Sequence, residues 1–354
     1  MLTEPEIQAI YQLLLGRAAD EAGLAHYGQQ DSLTLDDLRN SLTASLEYKQ
    51  REITTLADAL YPHLVSKLLL ERPWRNTMFV PSPEVYVSPA DAPFMPYSTC
   101  SSGDFLHPAF ADILAELGLR NEMHRKLWEW VFIIHHLRKS GRVGPGRRGL
   151  VFGVGRELLP ALFAAAGASI TATDAPIEIG VGSGWQESNE FSSGLAAMPE
   201  GKLARADFEN LVEWRECDMN AIDPALTGYE FCWSSCCFEH LGSLRHGMDF
   251  VLNSVEHTLA PGGVAVHTTE FNLTSNDATI EAGATCIYRR RDIEQLITEL
   301  RARGHAVEPF RVAPDSLVVD GYVDLPPYGG PHLKLLSDGF VATSIGLVIT
   351  RRGS

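Results

Sequence analysis

The chain has 354 residues, 45% hydrophobic and 21% charged, so a packed globular core is expected. Lys plus Arg is 29 against 45 Asp plus Glu, a formal net charge of -16 that would repel a phosphate backbone, so no nucleic-acid partner is expected. No apolar run reaches the ~18–20 residues that span a bilayer. The opening Met1-Leu2-Thr3-Glu4-Pro5-Glu6 has no signal-peptide pattern and the cysteines show no zinc spacing, so a cytoplasmic protein with free thiols is expected.

Residues 1–70 read as a helical module. Thr3 and Glu6 form a capping box, and Ile7, Ile10, Tyr11, Leu14 and Leu15 recur at helical spacing. Gly16 stops this helix. A second starts near Ala22 with Leu24 and Tyr27. Thr34-Leu35-Asp36-Asp37 opens a third, whose face carries Leu38, Leu42 and Leu46. The run from Tyr11 to Leu24, with Tyr27, resembles a small bacterial helical family of unassigned function. That family recurs in surface-layer, secreted and glycan-handling proteins, which implies a module that contacts a protein partner and no activity of its own.

Residues 71–145 read as a Pro-rich linker or lid followed by a connecting helix. Pro73, Pro81, Pro83, Pro89, Pro93 and Pro96 break any long helix, while Trp74, Phe79, Tyr86, Phe94 and Tyr97 argue for packing against something. A helix is expected from about Asn121 to Lys139, with Trp128, Val131, Phe132 and Leu137 as its apolar positions.

From 146 to 354, short apolar runs alternate with helical patterns, the signature of βαβ units and a mainly parallel sheet. Strands are expected at 149–153, 169–173, 212–216, 230–234, 262–268, 305–311 and 341–350, and helices at 157–166, 243–258 and 291–303. The last two strands follow one another without a helix between them.

Val151-Phe-Gly153-Val-Gly155-Arg156-Glu157 is a strand, a glycine turn and a helix start. Two glycines let the backbone approach a ligand at a helix N-terminus. The third glycine of a dinucleotide fingerprint is missing, replaced by Arg156-Glu157. Alone, such a turn is as readily a plain strand-to-helix connection. Asp174 ends the second strand, where an acid can accept bonds from ribose hydroxyls. The third strand runs into Asp218-Met219. The fourth reads Trp233-Ser234-Ser235-Cys236-Cys237-Phe238-Glu239-His240-Leu241, followed by Leu259-Ala-Pro-Gly-Gly263 and His267-Thr-Thr-Glu270-Phe-Asn272.

This set resembles class I S-adenosylmethionine (SAM)-dependent methyltransferases, and in finer detail bacterial methyltransferases associated with surface-glycan gene clusters. The resemblance implies a seven-stranded, mainly parallel, Rossmann-like α/β sheet behind the all-α N-terminal module, with SAM as cofactor. It implies cofactor contacts at Gly153, Gly155, Arg156, Glu157, Asp174, Asp218, Met219, Ser234 and Ser235, with Asp218 on the adenine amine and Met219 on the ring. Methyl transfer to oxygen needs a base. His240 and His267 end adjacent strands, and Glu239 or Glu270 would orient one of them. Alternatively, Glu239-His240 merely caps the next helix. Trp185, in the glycine-rich stretch Gly180–Asn189, would stack on the acceptor, with Glu270 and Asn272 beside it.

Some metal-dependent O-methyltransferases carry a Glu-x-x-Glu-His pattern. Cys236 stands where its first Glu would be, so no metal is expected and chelation should leave most activity intact. The expected reaction is O-methylation of a sugar hydroxyl on a surface glycan or its precursor. A small natural product, phenol or quinone precursor is the alternative acceptor. A nicotinamide oxidoreductase and a non-catalytic scaffold with a vestigial cofactor pocket are the competing classes.

Overall fold

In a computed structural model of the chain, residues 2–30, 32–49, 51, 92–176 and 191–353 are described. The expected Pro-rich stretch before residue 92 and the glycine-rich stretch with Trp185 lie outside them. The chain divides into two compact units, Met1–Pro81 with Leu325–Gly329, and Ser82–Asp324 with Gly330–Ser354.

The described part of the first unit includes the helices α1 (Glu4–Leu15), α2 (Glu21–Gly28) and α3 (Leu35–Ala44). The Glu6 carboxylate accepts from the Thr3 amide at 2.8 Å and the Thr3 hydroxyl at 2.7 Å, fixing the start of α1. Ile7, Tyr11, Leu15, Leu38 and Leu42 form its small core. Leu46 does not join them. Helix α3 ends at Ala44, Ser45 turns extended, and Leu46 is 77% exposed.

The second unit carries the sheet. Its helices are α4 (Ser102–Leu106), α5 (Pro108–Leu117), α6 (Arg125–Lys139), α7 (Leu159–Ala165), α8 (Arg205–Leu211), α9 (Leu244–Asn253) and α10 (Arg290–Ala302). Its main strands are β1 (Arg148–Phe152), β2 (Ser169–Asp174), β3 (Val212–Glu216), β4 (Tyr229–Ser235), β5 (Leu259–Asn272), β6 (Ala306–Val307) and β7 (Phe340–Thr350). Their order is β3-β2-β1-β4-β5-β7-β6. The first five in this order are parallel, and β7 runs antiparallel to β5 and β6. The sheet has eight strands, not seven, because Lys334–Ser337 also pairs with the start of β7.

Strand alternation sorts the side chains into two layers. Val151, Phe231, Trp233, Val264 and Val266 face α5, α6, α7 and α8. Leu150, Phe152, Cys232, Ala265 and Leu347 face α9 and α10. Each fully buried side chain of this size contributes roughly 1.5–3 kcal/mol. Helix α6 approaches β7 closely because residue 346 is glycine: a Cβ there would lie 2.1 Å from the Phe132 ring.

The expected strand 305–311 is cut to Ala306–Val307. Pro309 has no amide hydrogen for the ladder, and the chain beyond it bonds elsewhere. The Ser98 amide donates to the Arg311 carbonyl at 2.7 Å, and the Ala313 amide donates to the Thr99 hydroxyl at 2.8 Å. Ser98–Cys100 thereby fills the open edge of β7, with Cys100 donating to the Ser344 carbonyl at 2.9 Å and Gly346 donating to the Ser98 carbonyl at 2.8 Å. The sheet-bearing unit thus takes in residues well before 146, including α6. Among the described residues no helix is long and apolar enough to cross a membrane.

Candidate functional site

The strand order reverses between β1 and β4, and in open α/β sheets a crevice for ligands opens beyond the carboxyl ends at such a point. The turn after β1 lies there. Gly153 and Gly155 both have left-handed backbone, φ 61° and 49°, which glycine adopts without steric cost. A Cβ at Gly153 would also lie 2.6 Å from the Cys237 sulfur and 3.9 Å from the Met219 sulfur. The turn is therefore pressed between the ends of β4 and β3. Asp174 anchors it: its carboxylate accepts from the amides of Gly155 and Ser192 at 3.0 Å and of Ala175 at 2.9 Å. Burial raises the Asp174 pKa, against the pull of these three amides. Three of about four acceptor positions on the carboxylate are thus in use. Asp218 accepts from the Asn220 amide at 2.8 Å beside buried Met219.

Three expected cofactor contacts sit differently. Arg156 is exposed. Glu157 turns inward, where the Trp233 indole donates to it at 2.6 Å and burial lifts its pKa to about 8. Ser234 points into the other layer, toward His267 at 2.9 Å. Ser235, on the opposite face of β4, bonds Glu129 at 3.2 Å.

The two expected bases separate. His267 lies in the α9-side core with 0% exposure, its Nδ1 2.9 Å from the Ser234 hydroxyl and its Nε2 3.0 Å from the Ser254 hydroxyl. Burial lowers its pKa to about 3. It is a satisfied core histidine and does not reach the strand-end crevice, so the expectation of a base there is corrected. His240, in a helical turn Phe238–His240 just after β4, is half-buried, with its Nδ1 2.8 Å from the Ala284 carbonyl and 3.2 Å from the Thr285 hydroxyl. A carbonyl only accepts, so the Nδ1 carries a proton and the Nε2 of the neutral ring carries the lone pair.

Glu239 is 1% exposed; one oxygen accepts from Thr269 at 3.0 Å and the other, among the described residues, has no hydrogen-bond partner. Glu270 lies near it, on the α6 side of β5. Its Oε1 pairs with Arg125 at 2.5 Å and its Oε2 has no partner among the described residues. Burial raises the Glu270 pKa to about 7, with Arg125 opposing the rise. Asn272, expected beside the acceptor, is instead spent on its own loop. It accepts from the amides of Thr274 and Ser275 and donates to Ala278 and Thr279.

Around Glu270 the structure assembles residues that sequence patterns alone did not bring forward. Glu129 of α6 is fully buried and accepts from Lys126 and from Ser235 at 3.2 Å, from Cys236 at 3.2 Å and from Ser344. Burial would push its pKa up, but Lys126 and Arg125 outweigh this and hold it at about 2. Cys236 sits in left-handed backbone, φ 51°. Glu129 follows Trp128 and precedes Phe132 by three residues, so it falls on the apolar face of α6, and a charge there was the available signal.

No family profile matches the chain, and no curated protein matches it in sequence. Among solved structures, it is similar to a magnesium protoporphyrin IX methyltransferase from Synechocystis with bound SAH, at 14% identity and TM-score 0.37, over 64% of this chain and 83% of that one. It is also similar to a TehB-like SAM-dependent methyltransferase from Corynebacterium glutamicum, at 12% identity and TM-score 0.36, over 68% and 94% of the two chains. A third likeness, to the methyltransferase domain of a bacterial Hen1 protein, has 12% identity and TM-score 0.37 over 62% and 95%.

Proposed function

We propose that the chain is a SAM-dependent methyltransferase acting on a hydroxyl oxygen of a polar acceptor, most specifically a sugar hydroxyl of a surface glycan or its precursor. The observation that carries the reading is the Gly153–Gly155 turn at the strand-order switch, anchored by Asp174 and flanked by Met219. Ser235, in the α6-side cluster, stays a candidate cofactor contact, whereas Ser234 does not. When bound, SAM supplies an electrophilic methyl group on a sulfonium. The glycine turn would admit its amino-acid end, the remaining acceptor position of Asp174 a ribose hydroxyl, and Asp218 with Met219 the adenine.

His240 is the proposed base. Its Nε2 would take the hydroxyl proton as the oxygen–methyl bond forms, while the Ala284 carbonyl holds the ring tautomer. The charged cluster of Arg125, Lys126, Glu129 and Glu270 at the ends of β4 and β5 supports a polar acceptor over a phenol or quinone precursor. The antiparallel β7 and the missing third glycine speak against a nicotinamide oxidoreductase.

Calorimetry with SAM and with a dinucleotide tests the cofactor. SAM should bind and the dinucleotide should not. Asp174→Ala, folded by circular dichroism, should lose about 1–3 kcal/mol of SAM affinity. Unchanged affinity would place the ribose elsewhere. Mass spectrometry of products from a panel of glycans and metabolites then tests the acceptor.

A further inference from the structure

At the ends of β4 and β5, Cys236, Glu239 and Glu270 bring a sulfur and two carboxylate oxygens within 4.8 Å of one another. Each carboxylate is oriented through one oxygen and leaves the other unmet. Thr269 holds Glu239 Oε2 and Arg125 holds Glu270 Oε1, while the buried Glu239 Oε1 and Glu270 Oε2 have no hydrogen-bond partner among the described residues. Glu239 is 1% exposed. A buried carboxylate oxygen left without a partner is costly, and a bound cation removes that cost.

The surrounding charges point the same way. Glu129 is matched by Lys126 and Arg125, and Arg125 is shared with Glu270. Among these side chains three carboxyl groups meet two cations, so with all three ionised one negative charge is left over. Loss of the thiol proton would make it two.

The geometry points to a site for a thiophilic divalent cation of the zinc class, held by the Cys236 sulfur, Glu239 and Glu270. At a tetrahedral angle, a zinc–sulfur bond of about 2.3 Å and a zinc–oxygen bond of about 2.1 Å put sulfur and oxygen about 3.6 Å apart. The three ligand atoms, within 4.8 Å of one another, would draw together on binding. Three protein ligands leave a fourth position for water or an acceptor oxygen, and the thiol would favour zinc or cobalt over magnesium. On binding, the thiol releases its proton to solvent and the sulfur coordinates as thiolate. His240 and His267 take no part: one bonds the Ala284 carbonyl, and the other is closed between two serines. This proposal departs from the expectation of no metal, which was drawn from Cys236 standing in place of a Glu.

The full chain, stripped with a chelator and dialysed, is titrated with Co2+ in the absence of SAM. One equivalent should bind and produce a near-ultraviolet thiolate-to-cobalt charge-transfer band. Cys236→Ser should abolish the band, and Cys237→Ser should keep it. Glu239→Gln should weaken Co2+ binding at least tenfold, and it serves as the deciding variant where Cys236→Ser is not folded. No bound Co2+, a band that survives Cys236→Ser, or full affinity in Glu239→Gln would overturn the site. SAM calorimetry on the same samples reads the methyltransferase reading separately.

Discussion

The two faces of β5 treat buried polar groups in opposite ways. On the α9 side, His267 is closed off, with a serine hydroxyl on each ring nitrogen. On the α6 side, three residues further along, Glu270 spends one oxygen on Arg125 and leaves the other unmet. A polar residue whose every atom is paired specifies packing. One that is only half paired holds capacity for something else. Burial alone does not separate the two cases, because both residues lie inside the protein.

The largest effect should come from the partner that organises the α6 side. Glu129→Ala leaves Lys126 without its carboxylate partner and Arg125 with Glu270 alone, and should cost about 3–5 kcal/mol of stability, read by denaturant unfolding. A loss no larger than that of an exposed pair would break the contrast between the faces. Next in size, His240→Ala should lower kcat by about 10²–10⁴-fold with SAM affinity near normal, measured by steady-state kinetics and calorimetry. His267→Asn should not show that split. If it did, the closed face would have to open during turnover.

The last effect concerns pH. His267 has its pKa lowered to about 3 by burial, against an ordinary value of about 6.5. The folded state therefore binds fewer protons than the unfolded state between these values. The stability associated with neutral His267 is present above the unfolded pKa and falls as pH drops toward 3. The slope approaches about 1.4 kcal/mol per pH unit. Unfolding of the His267→Asn variant followed from pH 7 to pH 4 should show a shallower decline. An identical slope would mean that the ring is not held neutral.

Much of the fold was legible because hydrophobic period and turn residues decide it locally. The glycine turn and the acid ending β2 appear in their expected places, whereas β5 begins at Leu259, three residues before its expected start. The strand ends were less legible. Beyond Thr268 the side chains of β5 are Thr269, Glu270, Phe271 and Asn272, only one of them apolar, so the apolar period that defines a strand fades there, yet the ladder with β7 continues through Asn272. The candidate site was legible only where one element supplies it. Glu239 and Glu270 could be named, but Arg125, Lys126, Glu129 and Ser344 meet them through tertiary packing of α6 and β7. His267 was misplaced for a simpler reason. Counting from Val264 and Val266, which face α6, its odd position on the strand assigns it to the α9 side.

The insertion of Ser98–Cys100 along β7 also bears on how the chain avoids sticking to itself. Strand β7 carries Ile345, Leu347 and Ile349 in a long, nearly uncharged run. Its outer edge is closed in three pieces: Lys334–Ser337, Ser98–Cys100, and Ala306–Val307. A chain begun at residue 146 would lose the middle piece and offer unpaired amides and carbonyls next to that apolar run. Such an edge is a template for strand addition. Residues just ahead of the sheet therefore serve as its selvedge, and trimming them should promote edge-to-edge pairing between copies of the chain.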